Sequence, residues 1–186
     1  MERPIPGTTR GPEHLRIDRV AGTSGASYLD LKEIGMLKPG DKAPRFTLTD
    51  ESGESVSLDQ FRGRTVVVYF YPKDDTPGCT TESCSFRDNY DAFLSRDAVV
   101  IGISADGAAS HQRFKSKYDL PFHLLSDPEK NVITAFGAWG EKKMYGKSYE
   151  GILRSTFLID GEGIVTKVWE KVAPKDHAVE VLKSLA

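Results

Sequence analysis

The chain has 186 residues, of which 39% are hydrophobic and 28% are charged, and its formal net charge is -2. This length suits one ordinary domain with a tail, and this composition supports a hydrophobic core. The nearly balanced charge gives no electrostatic case for binding nucleic acid or an anionic membrane, and no apolar run approaches the roughly 20 residues that span a bilayer.

Residues 1–37 differ from the rest of the chain, because prolines and glycines interrupt them and no periodic pattern persists. We predict a poorly ordered N-terminal extension, with the alternative that residues 28–31 dock on the domain or on a partner. The start of this extension lacks the apolar stretch of a secretory signal, and acidic residues interrupt its arginines, which is not typical of transit peptides. We therefore expect a cytoplasmic protein.

Residues 38–186 have the pattern of a compact α/β domain. Apolar and polar residues alternate on both sides of a turn at residues 50–53, which predicts a short hairpin. Residues 66–70 and 99–103 are continuous apolar runs, typical of strands buried on both faces, and apolar residues at helical spacing lie between them. This order is a βαβ crossover, so we expect the two strands to be parallel.

The second half of the domain continues the alternation of helices and strands. Further predicted elements are helices over residues 108–118, 131–136 and 176–185, and a strand over residues 122–125. Two apolar runs, at residues 156–159 and 164–168, flank an Asp-Gly-Glu-Gly turn and predict an antiparallel hairpin. The predicted fold class is α/β, with a central mixed sheet flanked by helices.

One cysteine lies where a buried strand gives way to a helix. Thr76 followed by Pro77 is a typical helix start, which puts Cys79 at the third helical position. Unpaired backbone N–H groups and the positive end of the helix dipole favour a thiolate there, and the thiolate is the nucleophilic form. The alternative is a small buried residue that only packs in the core.

The second cysteine, Cys84, lies five residues further along the same predicted helix. A Cys-x4-Cys pair could be half of a zinc site, but no second ligand pair exists and the four histidines are scattered: His14, His111, His123 and His177. The spacing also differs from the Cys-x-x-Cys of dithiol oxidoreductases. In a cytosolic chain, any disulfide between these residues should be transient and catalytic.

Several motifs occur together in an order typical of one protein family. Pro72, Thr76 and Cys79 form a Pro-x-x-x-Thr-x-x-Cys pattern, and further matching segments are residues 39–44, 68–72, 125–127, 139–142 and 154–160. From Leu37 to the C-terminus, the chain resembles the peroxiredoxins, and among them the bacterioferritin-comigratory-protein or Q-type branch with two cysteines. The N-terminal extension departs from this pattern.

The resemblance implies a thioredoxin-like fold and an antioxidant enzyme that reduces hydrogen peroxide and organic hydroperoxides. It implies no metal, haem, flavin or other cofactor, and it suggests thioredoxin as the electron donor. We expect a monomer. The main alternative is a thiol–disulfide oxidoreductase or redox sensor on the same fold, and a further one is a binding module that has lost the chemistry.

The resemblance also assigns roles to individual residues. Cys79 would attack the peroxide and become a sulfenic acid, and Cys84, at the position of the resolving cysteine, would then form an intramolecular disulfide with it. Arg154 matches the active-site arginine of the family, although without the resemblance it would count as an ordinary exposed arginine. Thr76 would cap the helix or hydrogen-bond the peroxide, and Pro72 would shield the sulfur.

The predicted helix conflicts with the disulfide that the resemblance implies. Residues five apart in an α-helix have Cα atoms roughly 8–9 Å apart, and their side chains diverge by about 140° around the axis. A disulfide needs Cα atoms about 4.4–6.8 Å apart. We therefore expect the first turns, at about residues 76–86, to unwind when Cys79 and Cys84 join.

Overall fold

The computed structural model of the protein describes residues 35–144 and 146–185. The elements in this part of the chain are, in order, β1 (Thr47–Asp50), β2 (Ser55–Ser57), a 3-10 helix (Leu58–Phe61), β3 (Thr65–Phe70), α1 (Pro77–Asp88), α2 (Tyr90–Leu94), β4 (Ala98–Ser104), α3 (Ala108–Tyr118), β5 (His123–Ser126), α4 (Asn131–Ala135), β6 (Trp139–Met144), β7 (Lys147–Ile152), β8 (Ser155–Ile159), β9 (Val165–Trp169) and α5 (His177–Leu182). Seven strands form one sheet in the spatial order β2-β1-β5-β4-β3-β8-β9, and β6 and β7 form a separate two-stranded sheet. None of the described helices is long and apolar enough to cross a membrane.

Strand β3 lies inside the sheet, between β4 and β8. It runs parallel to β4, with Phe70 opposite Ile103, and antiparallel to β8, with Phe70 opposite Ser155. Because β8 is antiparallel to β3, its first residue lies beside the last residue of β3. Arg154, which directly precedes β8, is therefore at the edge where the chain leaves β3 towards α1.

The two faces of the sheet carry two separate apolar clusters. Val68 and Phe70 of β3 belong to one cluster, and the alternate residues Val67 and Tyr69 belong to the other, as the two-residue period of a strand requires. The second cluster also contains Cys79, so α1 packs on that face. The candidate cysteine is thus built into the core and not carried by a surface loop.

A glycine on β4 lets a side chain of the sheet reach α1. Gly102 lies opposite Tyr69, and a Cβ atom at this glycine would come within 2.7 Å of the Tyr69 hydroxyl and 2.9 Å of Leu124 Cδ2. With that space free, the Tyr69 hydroxyl lies 3.0 Å from Ser83 Oγ, and both side chains are fully buried. This hydrogen bond fixes the middle of α1 to the sheet.

Most predicted elements are confirmed, including the two hairpins, the parallel βαβ crossover, and the helix over residues 108–118. The predicted helix beyond Cys84 is interrupted, because Asn89 leaves helical geometry at φ -112° and ψ 10°. Its side-chain Nδ2 donates to the carbonyl of Ser85 at 2.9 Å, which replaces a backbone bond at the helix end.

Two further differences concern the ends of the domain. The last helix is shorter than predicted, because the backbone N–H groups of Ser184 and Leu185 bond to the third residue before them, as in 3-10 turns. At the other end, Met36 and Leu37 pack on the core, and the Leu37 N–H donates to the Phe136 carbonyl at 3.2 Å. The rest of the predicted extension, including residues 28–31, lies outside the described residues, and a domain boundary at residue 38 stays a prediction.

Candidate active site

Helix α1 begins as the sequence predicts. Thr76 is the N-cap in extended conformation (φ -93°, ψ 151°), and Pro77 is the first helical residue. Cys79 is therefore third, and its side chain is 1% exposed. The N–H groups of Gly78 and Cys79 belong to a first turn that offers them no intrahelical acceptor. Together with the helix dipole, they make this end of α1 favourable for a negative sulfur or oxygen.

A guanidinium contacts the sulfur directly. Arg154 Nη2 donates to Cys79 Sγ at 3.3 Å, joining residues 75 positions apart in the chain. The other terminal nitrogen, Nη1, donates to Glu82 Oε2. Burial alone would lower the pKa of Arg154, but the negative charges of Glu82 and Cys79 raise it. The arginine therefore stays charged and holds two acidic groups of α1 at once.

Glu82 is the third member of this group, and the sequence interpretation did not single it out. Its side chain is fully buried, and its Oε1 has no hydrogen-bond partner in the described part of the chain. Burial raises the pKa of Glu82 to about 7, although Arg154 lowers it. The available signal was spacing, because a residue three positions after Cys79 lies on the same face of a helix.

Thr76 lies at the expected position, but its hydroxyl does not cap the helix. Instead, Thr76 Oγ1 donates to the carbonyl of Lys73 at 2.9 Å, and its side chain makes no capping hydrogen bond. The two lone pairs of the hydroxyl stay available to accept a hydrogen bond. Pro72 is half-buried at the start of the same loop. Thr76 is therefore the N-cap residue as predicted, but the part of the prediction in which its hydroxyl caps the helix is wrong.

Cys84 differs from Cys79 in its surroundings. It is half-buried on α1, and both residues are free thiols. Burial raises the pKa of the Cys84 thiol, although the Arg87 guanidinium lowers it. The Arg154 guanidinium therefore contacts Cys79, whereas the raised pKa of Cys84 favours its neutral thiol form.

Two neighbouring residues complete the surroundings of Arg154. A Cβ atom at Gly78 would lie 3.1 Å from Arg154 Nη2 and 3.6 Å from Pro174 Cγ, so the glycine leaves room for the guanidinium. Lys142 of β6 donates to the Ile152 carbonyl at 3.0 Å. Burial lowers the pKa of Lys142 and so does the Arg154 charge, whereas Cys79 raises it. The small β6–β7 sheet, which the sequence interpretation missed, thus contributes a lysine whose pKa responds to the charges of Arg154 and Cys79.

One group of potential metal ligands occurs in the described residues, on β1 and β5 and the turn after β1. Asp50, Glu51 and His123 each offer one ligand atom within 4.8 Å of the others. Their atoms already have partners: Glu51 binds Lys115 and the Leu124 N–H, and Asp50 Oδ2 lies 3.2 Å from His123 Nδ1. A cation there would have to displace a lysine, so these residues fit an ion-pair cluster better than a metal site.

The chain is similar to a known protein family and to several of its members. Residues 39–168 match the model of the AhpC/TSA family. Peroxiredoxin Bcp of Bacillus subtilis is 52% identical over 146 residues, which cover 78% of this chain and 93% of that protein. Peroxiredoxin Bcp of Escherichia coli K12 is 46% identical over 149 residues, which cover 80% of this chain and 96% of that protein.

Solved structures give the same answer for the fold. The bacterioferritin comigratory protein of Xanthomonas campestris, described for its alkyl peroxide reduction activity, matches with a TM-score of 0.72 and 41% identity over 75% of this chain and 89% of that one. A PrxQ Cys-to-Ser mutant from Xylella fastidiosa matches with a TM-score of 0.77 and 34% identity over 81% of this chain and 96% of that one. The predicted thioredoxin-like fold is confirmed, and the chain belongs to the AhpC/TSA family, among the Bcp and Q-type peroxiredoxins.

Proposed function

We propose that this peroxiredoxin, a thiol-dependent peroxidase, reduces hydrogen peroxide and organic hydroperoxides through Cys79. The observation that carries the proposal is the 3.3 Å contact between Arg154 Nη2 and the Cys79 sulfur in the first turn of α1. The thiolate attacks the terminal peroxide oxygen, the O–O bond breaks, and Cys79 becomes a sulfenic acid. The leaving oxygen takes a proton and departs as water or an alcohol.

Arg154 supports this step in both its initial and its transition state. Its guanidinium is planar, charged and offers several fixed donors, so it can bind the thiolate and the oxygen on which charge grows. The buried position strengthens this interaction, because little water competes with it, and Glu82 holds the guanidinium in orientation. The first-turn N–H groups and the Thr76 hydroxyl are the further polar groups available to the peroxide.

Cys84 closes the cycle in this proposal. Its sulfur attacks the Cys79 sulfenic acid, an S–S bond forms, and the hydroxyl leaves as water. A dithiol protein then reduces the disulfide by exchange, and we propose thioredoxin for this task. A monomeric state fits a disulfide within one chain, and a cytoplasmic location fits thiols that form only a transient disulfide.

The division of labour between the cysteines predicts different products for two variants. Cys79→Ser should abolish peroxide consumption, because no group in contact with Arg154 can attack. Cys84→Ser should still react once and then accumulate sulfenic or over-oxidised Cys79. Peroxide consumption with and without thioredoxin, followed by mass analysis of the protein, checks both. The assignment is wrong if Cys84→Ser loses the first oxidation while Cys79→Ser keeps it.

Replacing the arginine should slow the peroxide step without unfolding the chain. Loss of one preorganised donor at a developing charge costs on the order of 100-fold in rate, so Arg154→Met should react with hydrogen peroxide about that much more slowly. Arg62→Met, which removes an exposed arginine paired with Asp59, is the matched control and should react normally. An unchanged single-turnover rate constant for Arg154→Met would remove this residue from the site.

Glu82 should give the folding stability a pH dependence of known sign. Its folded-state pKa of about 7 lies above the ordinary value of 4.5, so between these values the folded chain binds more protons than the unfolded chain. Stability therefore falls as pH rises through this window. Relative to Glu82→Gln, the native chain should lose on the order of 2 kcal/mol between pH 5 and pH 8. Urea unfolding at both pH values measures the free energy of unfolding of each protein. An equal change with pH in the native chain and in Glu82→Gln would contradict this prediction.

A further inference from the structure

A second buried polar group lies in the loop that leads to the catalytic helix. Asp74 is 7% exposed, and its Oδ1 accepts a hydrogen bond from the Tyr71 hydroxyl at 2.8 Å. His111 of α3 is fully buried, with Nδ1 2.9 Å from Asp74 Oδ2 and 3.1 Å from Oδ1. We call Tyr71, Asp74 and His111 the Asp74 anchor. The mechanism above uses none of them.

The Tyr71 hydroxyl is the donor in its hydrogen bond to Asp74. Burial raises the pKa of Tyr71 well above its ordinary value, so its hydroxyl keeps its proton and donates to the carboxylate. In the tautomer with its proton on Nδ1, His111 donates that proton to the Asp74 carboxyl group. Its Nε2 has no hydrogen-bond partner in the described part of the chain. The polar contacts of this ring are therefore those that Nδ1 makes with Asp74 and Tyr71.

The backbone of the loop is attached at the same point. The Asp74 N–H donates to Asp106 Oδ2 at 2.8 Å, and Ser104 Oγ donates to the same oxygen at 2.9 Å. Asp74 thus binds the β4–α3 connection through its main chain and α3 through its side chain. The next residue, Asp75, binds Lys117 and Tyr118 of the same helix, but this pair is exposed and screened by water.

Two residues separate Asp74 from the start of α1. Thr76 follows within the same tight loop, where its hydroxyl donates to Lys73, and the first helical residue comes next. The position of Asp74 therefore determines where the Thr76 hydroxyl and the first-turn N–H groups stand relative to the Cys79 sulfur. A displacement of about 1 Å in such groups can reduce a reaction rate about 100-fold.

We infer that Asp74 and His111 are positioning residues for the peroxide step, holding the loop before α1 so that Thr76 and the first turn are correctly placed when peroxide arrives. The inference rests on the proposed roles of Cys79 and Cys84. The two chemical steps make opposite demands on the first turn of α1. Oxidation of Cys79 needs the first turn in place, whereas disulfide formation needs the same turn to open. Loss of the anchor should therefore slow the first step and leave the second unchanged or faster.

The test follows both steps in one time course. Reduced protein is mixed with hydrogen peroxide, quenched with a thiol-alkylating reagent, and analysed by intact mass for sulfenic acid and disulfide. His111→Leu removes the donor and should slow Cys79 oxidation about 10- to 100-fold, with no fall in the rate of disulfide formation. His111→Asn, whose side-chain NH2 can replace Nδ1–H, should restore most of the oxidation rate.

The exposed pair on the same loop supplies the matched control. Lys117→Met removes the exposed ion pair between Asp75 and α3 and leaves the Tyr118 hydrogen bond to Asp75 in place, and both steps should keep their native rates. Should His111→Leu fail to fold, Asp74→Asn is the second variant, because it keeps the shape of the side chain and weakens the contact with His111. It should slow Cys79 oxidation by a smaller factor and leave the rate of disulfide formation undiminished.

The outcomes separate the anchor from the proposed function. An unchanged oxidation rate in His111→Leu, or an equal fall in both steps, would overturn the positioning role while Cys79 remains the first residue oxidised. Native protein in which Cys79 is not oxidised first would instead contradict the proposed function itself.

Discussion

The contact between the Arg154 guanidinium and the Cys79 sulfur is the interaction on which the rest of the site depends. It joins two residues 75 positions apart, and the sheet makes this possible. Since β8 is antiparallel to β3, the residue before β8 lies where the chain leaves β3 for α1. The βαβ crossover then places the first turn of α1 on the same edge. The register of the sheet therefore places both the start of α1 and the Arg154 guanidinium beside the Cys79 sulfur.

The helix that builds the site also prevents the disulfide step of the proposed cycle. Closing a Cys79–Cys84 bond requires the first turns of α1 to open, which breaks the Glu82–Arg154 contact and the hydrogen bond between Tyr69 and Ser83. Glu82 limits the cost, because its buried carboxyl, with a pKa raised to about 7, regains water on opening. A well-packed apolar residue there would hold the helix shut more firmly.

Much of the fold could be predicted because its signals are local, as for the buried runs of β3 and β4 and the helix start at Thr76. The β6–β7 sheet was missed since charged residues interrupt both of its strands and no regular alternation of apolar and polar residues marks them. The motif resemblance identified Arg154, but the pairing of Glu82 with it needs tertiary structure. The hydrogen bond from the Thr76 hydroxyl to the Lys73 carbonyl could not be predicted either, because it depends on the exact course of the loop.

The central claim is that one helix start both activates Cys79 and must unwind for Cys84 to reach it. Hydrogen exchange of reduced and peroxide-oxidised protein, read out by mass spectrometry, tests this most directly. Exchange should rise on oxidation across about residues 76–86 and stay unchanged beyond Tyr90, where the α2 residue Phe93 is fully buried in the core. An intramolecular Cys79–Cys84 disulfide with unchanged protection across α1, or a disulfide found only between chains, would contradict the account.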